Sequence, residues 1–369
     1  MMATKVAPML AITGVGAISP VGRSAIETCA SVRADICRFC EWPWYVPLTS
    51  DPEWEKGEPL IASFVPDVTA RAHGPIRLVE LATLALRDLV SRARLQRTDL
   101  ARAALLLALP EPDAASGKWA LGPEWGRRIC AHAGLPAVPV ASARSLGSPG
   151  SLAILSDAQA HLQRAPSDLA IVLFVDSYID DDRLAVLDHD MRLKTALVSD
   201  GIVPGEAGVA ILVESPASTA QRQAVPLGLV GPVGLGQEPQ IRSSDKESSG
   251  RGLSEALRAA LVNAPPKASR WCLCDLNGQS YRAAEWGVVL ARLAAQLSTV
   301  NRPSHPADCL GDIGAATGGI LIAQALAGFA RGYARADEAI LWASSSEHGL
   351  RAAVRITPGK NGDKQWRAK

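Results

Sequence analysis

The sequence predicts an α/β protein of two related halves, each a mostly parallel sheet with helices on both faces. Three observations predict it. Strand-like and helix-like segments alternate along the chain, the pattern of parallel strands joined by helical crossovers. The alternation runs twice, and the two series meet near residues 216–226, within a polar, Pro-containing link, SPASTAQRQAVP. The 369 residues are 48% hydrophobic but only 5% aromatic, so the core is built from small and aliphatic side chains that allow close helix-on-sheet packing.

In the first series, PMLAITGVGAIS (8–19) reads as a buried strand ending in a Gly-rich turn. Helices are expected at 24–33 and 75–94; in the second, IRLVELATLALRDLVSRA places apolar residues three and four apart. AALLLALP (103–110) is an apolar run closed by proline, hence a strand, and GPEWGRRICAHAG (122–134) is a helix ending at Gly. A strand at 137–142, a helix at 149–164 and strands at 168–177 and 208–215 complete the series. The second series comprises strand 227–236, helix 253–264, strand 270–278, helices 282–297 and 312–331, and strands 338–346 and 350–356. The expected halves are 1–220 and 221–358, with a charged tail, 359–369, that frays. WPWYVPLTSDPEWEKGEP (42–59) reads as an irregular surface excursion whose aromatics pack within the loop or, alternatively, form a contact patch.

Composition narrows the function classes. The formal net charge is +1, so no global field draws nucleic acid or an anionic membrane. No apolar run reaches the roughly 18 residues of a membrane span. The N-terminal run breaks at Gly14 and Gly16, as a strand does and a signal peptide does not, which makes the cytoplasm the expected location. The seven cysteines are odd in number and scattered, unlike a secreted disulfide framework. Cys37-Arg-Phe-Cys40 is a single CxxC with no second pair or nearby histidine spacing, so the expectation is free thiols and neither metal nor cofactor.

Three stretches together resemble the β-ketoacyl-ACP synthase family of thiolase-like enzymes: ITGVGAISPVGRS (12–24), SDGIVPGEAGVAILVES (199–215) and CLGDIGAATGGILIAQAL (309–326). They occur in the family's order and span the chain. The resemblance implies a five-layer α-β-α-β-α thiolase-like fold of two halves, and dimers that meet around 137–177. Within the third stretch the small residues allow a helix start to approach another backbone closely. Glu206, between Gly205 and Ala207, must be paired if it is buried.

In that family a cysteine at a helix N-terminus, its thiolate stabilised by the helix dipole, takes an acyl group from a thioester. Two histidines assist decarboxylation and stabilise the enolate oxygen. The nucleophile position falls on Ser148 here, the first histidine on Asn277, the second on Asp312, and the lysine before it on Ala307. SSSEHG (344–349) replaces the family's Gly-Phe-Gly-Gly segment. A serine hydroxyl needs a general base to attack at neutral pH. An ionised Asp312 places negative charge where negative charge must develop.

Two readings of these residues stand side by side. Ser148 before Pro149 suits a helix cap, Asp312 would cap the next helix, and Asn277-Gly278 suits a turn. Alternatively Ser148 accepts an acyl group if His348 or His305 reaches it as base, with Asp312 orienting that histidine. The expected function is a non-condensing homologue in fatty acid or polyketide biosynthesis. Its partners would be an acyl carrier protein or acyl thioester and, as a homodimer or heterodimer, an intact ketosynthase in the manner of a chain-length factor. A serine-dependent acyltransferase and a scaffold are the alternatives. Trp286 or His348 is expected to close the pocket, while His73, His132, His161 and His189 show no partner in the sequence.

Overall fold

The computed structural model describes residues 9–49, 57–69, 72–112, 119, 121–244, 246–297 and 303–359. The expected frayed tail lies outside them, apart from Gly359. The first half runs β1 (Leu10–Ile18), α1 (Ala25–Arg33), β2 (Cys40–Trp42), β3 (Leu60–Ala62), α2 (Pro66–Thr69), α3 (Ile76–Arg92), α4 (Arg97–Leu100) and β4 (Ala103–Leu109). It continues through α5 (Glu124–Ala133), β5 (Val140–Ser145), α6 (Gly147–Arg164), β6 (Leu169–Ser177), α7 (Asp181–His189) and β7 (Glu206–Glu214). Helix α8 (Pro216–Arg222) leads into β8 (Gly228–Gln237), α9 (Arg251–Ala260), β9 (Arg270–Cys274) and α10 (Ser280–Arg292). The last elements are α11 (Ala307–Leu310), a 3-10 turn at Gly314–Ala316 that runs into α12 (Thr317–Ala330), β10 (Glu338–Ser344) and β11 (Leu350–Pro358).

Nine strands form one sheet in the order β5-β4-β6-β7-β1-β8-β11-β10-β9. In the first half β4 is parallel to β5 and β6, β6 is antiparallel to β7, and β7 to β1. The second half repeats the directions: β9 is parallel to β10, β10 antiparallel to β11, and β11 to β8. A parallel bridge from Leu273 to Ser304 takes the place of the β4–β5 pairing. Among the described residues, the two half-sheets join where Leu10–Ile12 pairs with Gly228–Val230. The expectation of mostly parallel sheets is therefore corrected to a mixed sheet. Strands β10 and β11 are joined by a short turn, which forces an antiparallel pair.

Three apolar clusters define the layers. Helices α3 and α5 pack on one face of the first half-sheet. Helices α9 and α10 pack on the outer face of the second. Between the half-sheets lie α6 and α12, with α1, in a core shared by strands of both. This is the five-layer α-β-α-β-α thiolase-like fold. Position in a layer explains the sequence of each helix. Helix α12 is buried on every side over Thr317–Gly328 and is apolar all round, as a central helix must be. Helix α3 buries Leu78, Leu81, Ala82, Ala85, Leu86 and Leu89, the three- and four-residue stripe of a helix with one wet face. Gly16 is glycine because α3 crosses β1 there: a Cβ would lie 2.2 Å from the Leu89 backbone nitrogen.

Several boundaries differ from expectation. The strand expected at 137–142 is β5 at Val140–Ser145, because Pro139 has no N–H for the ladder. The strand expected at 270–278 stops at Cys274, and the following turn enters the candidate site. Helix α7, unforeseen, is started by Asp180, whose carboxylate accepts from Arg183 N at 3.2 Å. The 42–59 excursion is bracketed by the β2–β3 pair, with Trp42 buried and Trp44 exposed; residues 50–56 lie outside the described residues.

Glu206 is fully buried and fully paired. It accepts from Arg77 Nη2, Val65 N and Ser177 Oγ, each at 2.7 Å. Trp286 does not close a pocket: it stacks on Trp342, ring centroids 5.1 Å apart, in the outer core of the second half. Three histidines without a partner in the sequence gain one in space: His132 with Glu80 (2.8 Å), His161 with Asp168 (3.3 Å) and His189 with Asp190 (3.3 Å).

Candidate functional site

The two central helices begin at the same place. Helix α6 starts at Gly147, which takes a left-handed φ of 59°, and Ser148 is its second residue. The expected capping role of Ser148 is thus corrected: Leu146 stands at the cap position, and no side chain caps the helix there. Ser148 instead reaches across to the start of the other central helix, donating from Oγ to the Gly314 carbonyl at 3.0 Å. One turn on, the Ser151 hydroxyl donates to the Ser148 carbonyl and accepts from Gly318 N at 3.0 Å. The starts of α6 and the 3-10–α12 segment are therefore stitched together by two serines. Pro149 sits in the first turn, where its missing N–H costs no hydrogen bond.

Asp312 and Asn277 meet beside this junction. Asp312 follows α11 through Gly311, whose φ is 68°. Its Oδ1 accepts from Gly314 N at 2.9 Å, satisfying the first donor of the 3-10 turn, and its Oδ2 accepts from Asn277 Nδ2 at 2.6 Å. Asn277 lies in the turn between β9 and α10, and its Oδ1 accepts from Gln279 N at 3.2 Å. Ser148, Asn277 and Asp312 are all buried and are linked through Gly314.

His348 joins a different group. Its Nδ1 accepts from Leu350 N at 3.4 Å, and its Nε2 lies 3.2 Å from Glu111 Oε1 without hydrogen-bond alignment. The Ser345 hydroxyl donates to Glu111 at 2.9 Å and accepts from His348 N at 3.0 Å. His305 pairs with Asp308 at 3.1 Å and lines a separate cleft. The Ser148–histidine–Asp312 set is therefore not assembled: Asp312 orients an amide, and the Ser148 proton goes to a carbonyl.

Two further carboxylates, invisible as a group in the sequence, complete the environment. Asp176, the last residue but one of β6, is fully buried; its Oδ2 accepts from Ala315 N at 2.7 Å, and its Oδ1 accepts from Arg183 Nη1. Burial raises its pKa, Arg183 opposes the rise, and Asp312 adds to it. Asp275 follows β9; its Oδ2 accepts from Arg282 Nη1 at 2.6 Å and from Ser344 N at 2.7 Å. Burial pushes its pKa up to about 6 against the pull of Arg282, and Asp312 again contributes in the upward direction. Asp176 and Asp275 each have an arginine. Asp312 has only neutral donors, Asn277 and Gly314 N, among the described residues.

A cavity of about 670 Å³ opens onto Ser148. Tyr178, Arg183 and Arg282 line its depth, and Glu111, Arg192 and Glu347 line its flanks. Helix α7 forms the outer wall, with Val186 exposed. Burial raises the Tyr178 phenol, which stays neutral and lies 4.2 Å from the Arg183 guanidinium. Burial also raises the Glu111 carboxyl, against the lowering effect of His348 and Ser345. Burial alone would lower Arg282; Asp275 and Asp312 reverse this, so it stays charged. The cavity is thus a mixed polar and apolar chamber whose cations are already paired with acids. No single residue type in sequence announced Glu111, Arg183 or Arg282, since their partners come from distant elements.

No model of a known protein family matches the chain. No curated protein matches its sequence. Solved structures do match in shape. An oxazolomycin ketosynthase domain from Streptomyces albus JA3453 superposes with a TM-score of 0.76 at 13% identity, over 96% of this chain and 74% of that one. The ishigamide ketosynthase/chain length factor gives 0.69 at 18% identity, over 95% and 99%. A type II polyketide synthase ketosynthase, solved with its acyl-carrier protein, gives 0.74 at 12% identity, over 95% and 99%. These matches and the two repeated half-sheets agree: the chain has the thiolase-like fold seen in these ketosynthases.

Proposed function

We propose that this protein is a non-condensing ketosynthase homologue of fatty acid or polyketide biosynthesis, which binds an acyl carrier protein or pairs with an active ketosynthase. One observation carries the reading: the hydroxyl at the nucleophile position donates to Gly314 O, and the two positions that would hold the assisting histidines are bonded to each other as Asn277 and Asp312. No base takes the serine proton. The buried Asp312 carboxylate disfavours an enolate by Coulomb repulsion in a medium of low dielectric. The neighbours that include a chain length factor and a ketosynthase with its carrier protein supply the analogy for a partner role. The outer strand β5 stands at one end of the sheet, where a second copy or a partner would extend it, within the 137–177 region.

The test is incubation with malonyl-ACP and with acyl-ACP, followed by assay of released CO2 and intact-protein mass. The expected outcome is no CO2 release, no acyl adduct and a stable complex with carrier protein or a co-expressed Cys-His-His ketosynthase. An adduct that disappears in Ser148→Ala would overturn this reading in favour of a serine-dependent acyltransferase. That alternative has one observation behind it: the cavity that reaches Ser148 is also lined by Glu111, a carboxylate with a raised pKa.

A further inference from the structure

The sequence offers Cys37 and Cys40 as a local pair, but the fold turns Cys37 elsewhere. After α1 the chain reverses: Asp35 takes a left-handed φ of 53°, and Ile36 N donates back to Ser31 O at 2.9 Å. This directs Cys37 to α11. Its Sγ lies 3.1 Å from the carbonyl of Asp308, to which it donates. The thiol of the next residue, Cys309, lies beside Cys37, whose sulfur contributes to raising its pKa. Cys37 is exposed and Cys309 buried, so the pair joins a solvent-facing thiol to a sheltered one. Cys40 belongs to β2, paired with Ala62 of β3. Two clefts flank the pair. One of about 530 Å³ is lined by Cys37 and Arg38, and the other, of about 570 Å³, by Cys29, His305 and Cys309. Among the described residues, no cluster of three metal-ligating side chains is present to make this a metal site.

We propose that Cys37 and Cys309 form a reversible disulfide when the protein meets a hydroperoxide. The accessible Cys37 thiolate attacks the peroxide, the O–O bond breaks, and Cys37 becomes a sulfenic acid while an alcohol or water leaves. The Cys309 sulfur then attacks the Cys37 sulfur, the S–O bond breaks, and hydroxide departs with the Cys309 proton as water. Two thiols lose two electrons and the peroxide gains them. Burial and the neighbouring Cys37 push the Cys309 thiol up to about 12, which makes Cys37 the sulfur that reacts first. The bond fastens the loop after α1 to the segment that enters the Asp312 turn. It does not depend on whether the cavity site is catalytic.

The test treats the reduced full-length protein with hydrogen peroxide, blocks remaining thiols with iodoacetamide, and reads intact mass and peptide maps. The expected result is a species lighter by two hydrogens before blocking, a peptide pair joining Cys37 to Cys309, and alkylated Cys40. Dithiothreitol restores the starting mass. Cys40→Ser retains the cross-link, and Cys37→Ser, at an exposed position that leaves folding intact, abolishes it. A Cys37–Cys40 cross-link, oxygen added to Cys37 without a cross-link, or an unchanged mass would each overturn the proposal.

Discussion

Asn277 donates from Nδ2 to Oδ2 of Asp312 across 2.6 Å, joining the turn after β9 to the turn before α12. Both residues are buried, and Asp312 also holds Gly314 N. A charged acceptor serving two buried donors contributes more than a neutral one. Asp312→Ala is expected to lower unfolding free energy by about 2–3 kcal/mol, since it strands Gly314 N and leaves Asn277 Nδ2 only its 3.3 Å bond to Gln279 Oε1. Asn277→Ala and the double variant complete a cycle in urea denaturation, with a coupling of about 1–2 kcal/mol. A coupling near zero would show that the contact is incidental.

Restoring the nucleophile alone will not restore the chemistry. Ser148→Cys keeps Asn277 and the Asp312 carboxylate, so the developing anion still meets negative charge. Release of CO2 from malonyl-ACP by this variant is expected to equal the no-enzyme blank. Release above the blank would mean that Asp312 does not control the site.

The Asp275 carboxyl gives a pH signature. Its folded-state pKa, about 6, exceeds the ordinary 3.8, because burial disfavours the charge. Between these values the folded protein holds more protons than the unfolded chain, so this group's contribution to stability falls as pH rises from about 4 to about 6. Removing the Asp312 charge lowers the Asp275 pKa, because Asp312 contributes to the rise. Asp312→Ala is therefore expected to move the carboxyl titration of Asp275 to lower pH in carbon-detected NMR. An unmoved titration would place the two groups in separate fields.

Arg77 tests a buried ion pair. Its guanidinium and Glu206 are both sequestered, and Glu206 also holds Val65 N and Ser177 Oγ. Arg77→Ala is expected to cost about 3–5 kcal/mol by stranding a buried carboxylate. Arg77→Met with Glu206→Gln should recover part of that loss in thermal unfolding.

Much of the fold was legible because close packing restricts residue type. The glycines of ITGVGAIS and GAATGG mark close contacts, Gly16 with the α3 backbone and Gly318 and Gly319 with the side chains of Ser151, Val209 and Phe174, and they identify β1 and the start of α12 in the sequence. Alignment to those motifs also located Ser148, Asn277 and Asp312, which the structure brings to one junction. Their local roles were less legible. Ser-Pro looked like a cap because that preference is local, whereas the hydroxyl partner, Gly314, lies 166 residues away. Asp176, Asp275, Glu111 and Arg282 left no pattern, since each has meaning only through partners on other elements. The edge strand β5 was misplaced because two prolines, at 136 and 139, displace its ladder without changing its apolar content.

The stitched starts of α6 and α12 carry one more consequence. Two helices that begin at the same point bring their electropositive ends together, an arrangement that calls for an anion between them. In a site built for turnover that anion comes and goes. Here Asp312 takes Gly314 N and Asp176 takes Ala315 N, so the chain's own carboxyl groups occupy these donors. The start of the 3-10–α12 segment is capped from within, and the two serines hold it to the start of α6. A shape held in this way suits the partner role proposed above.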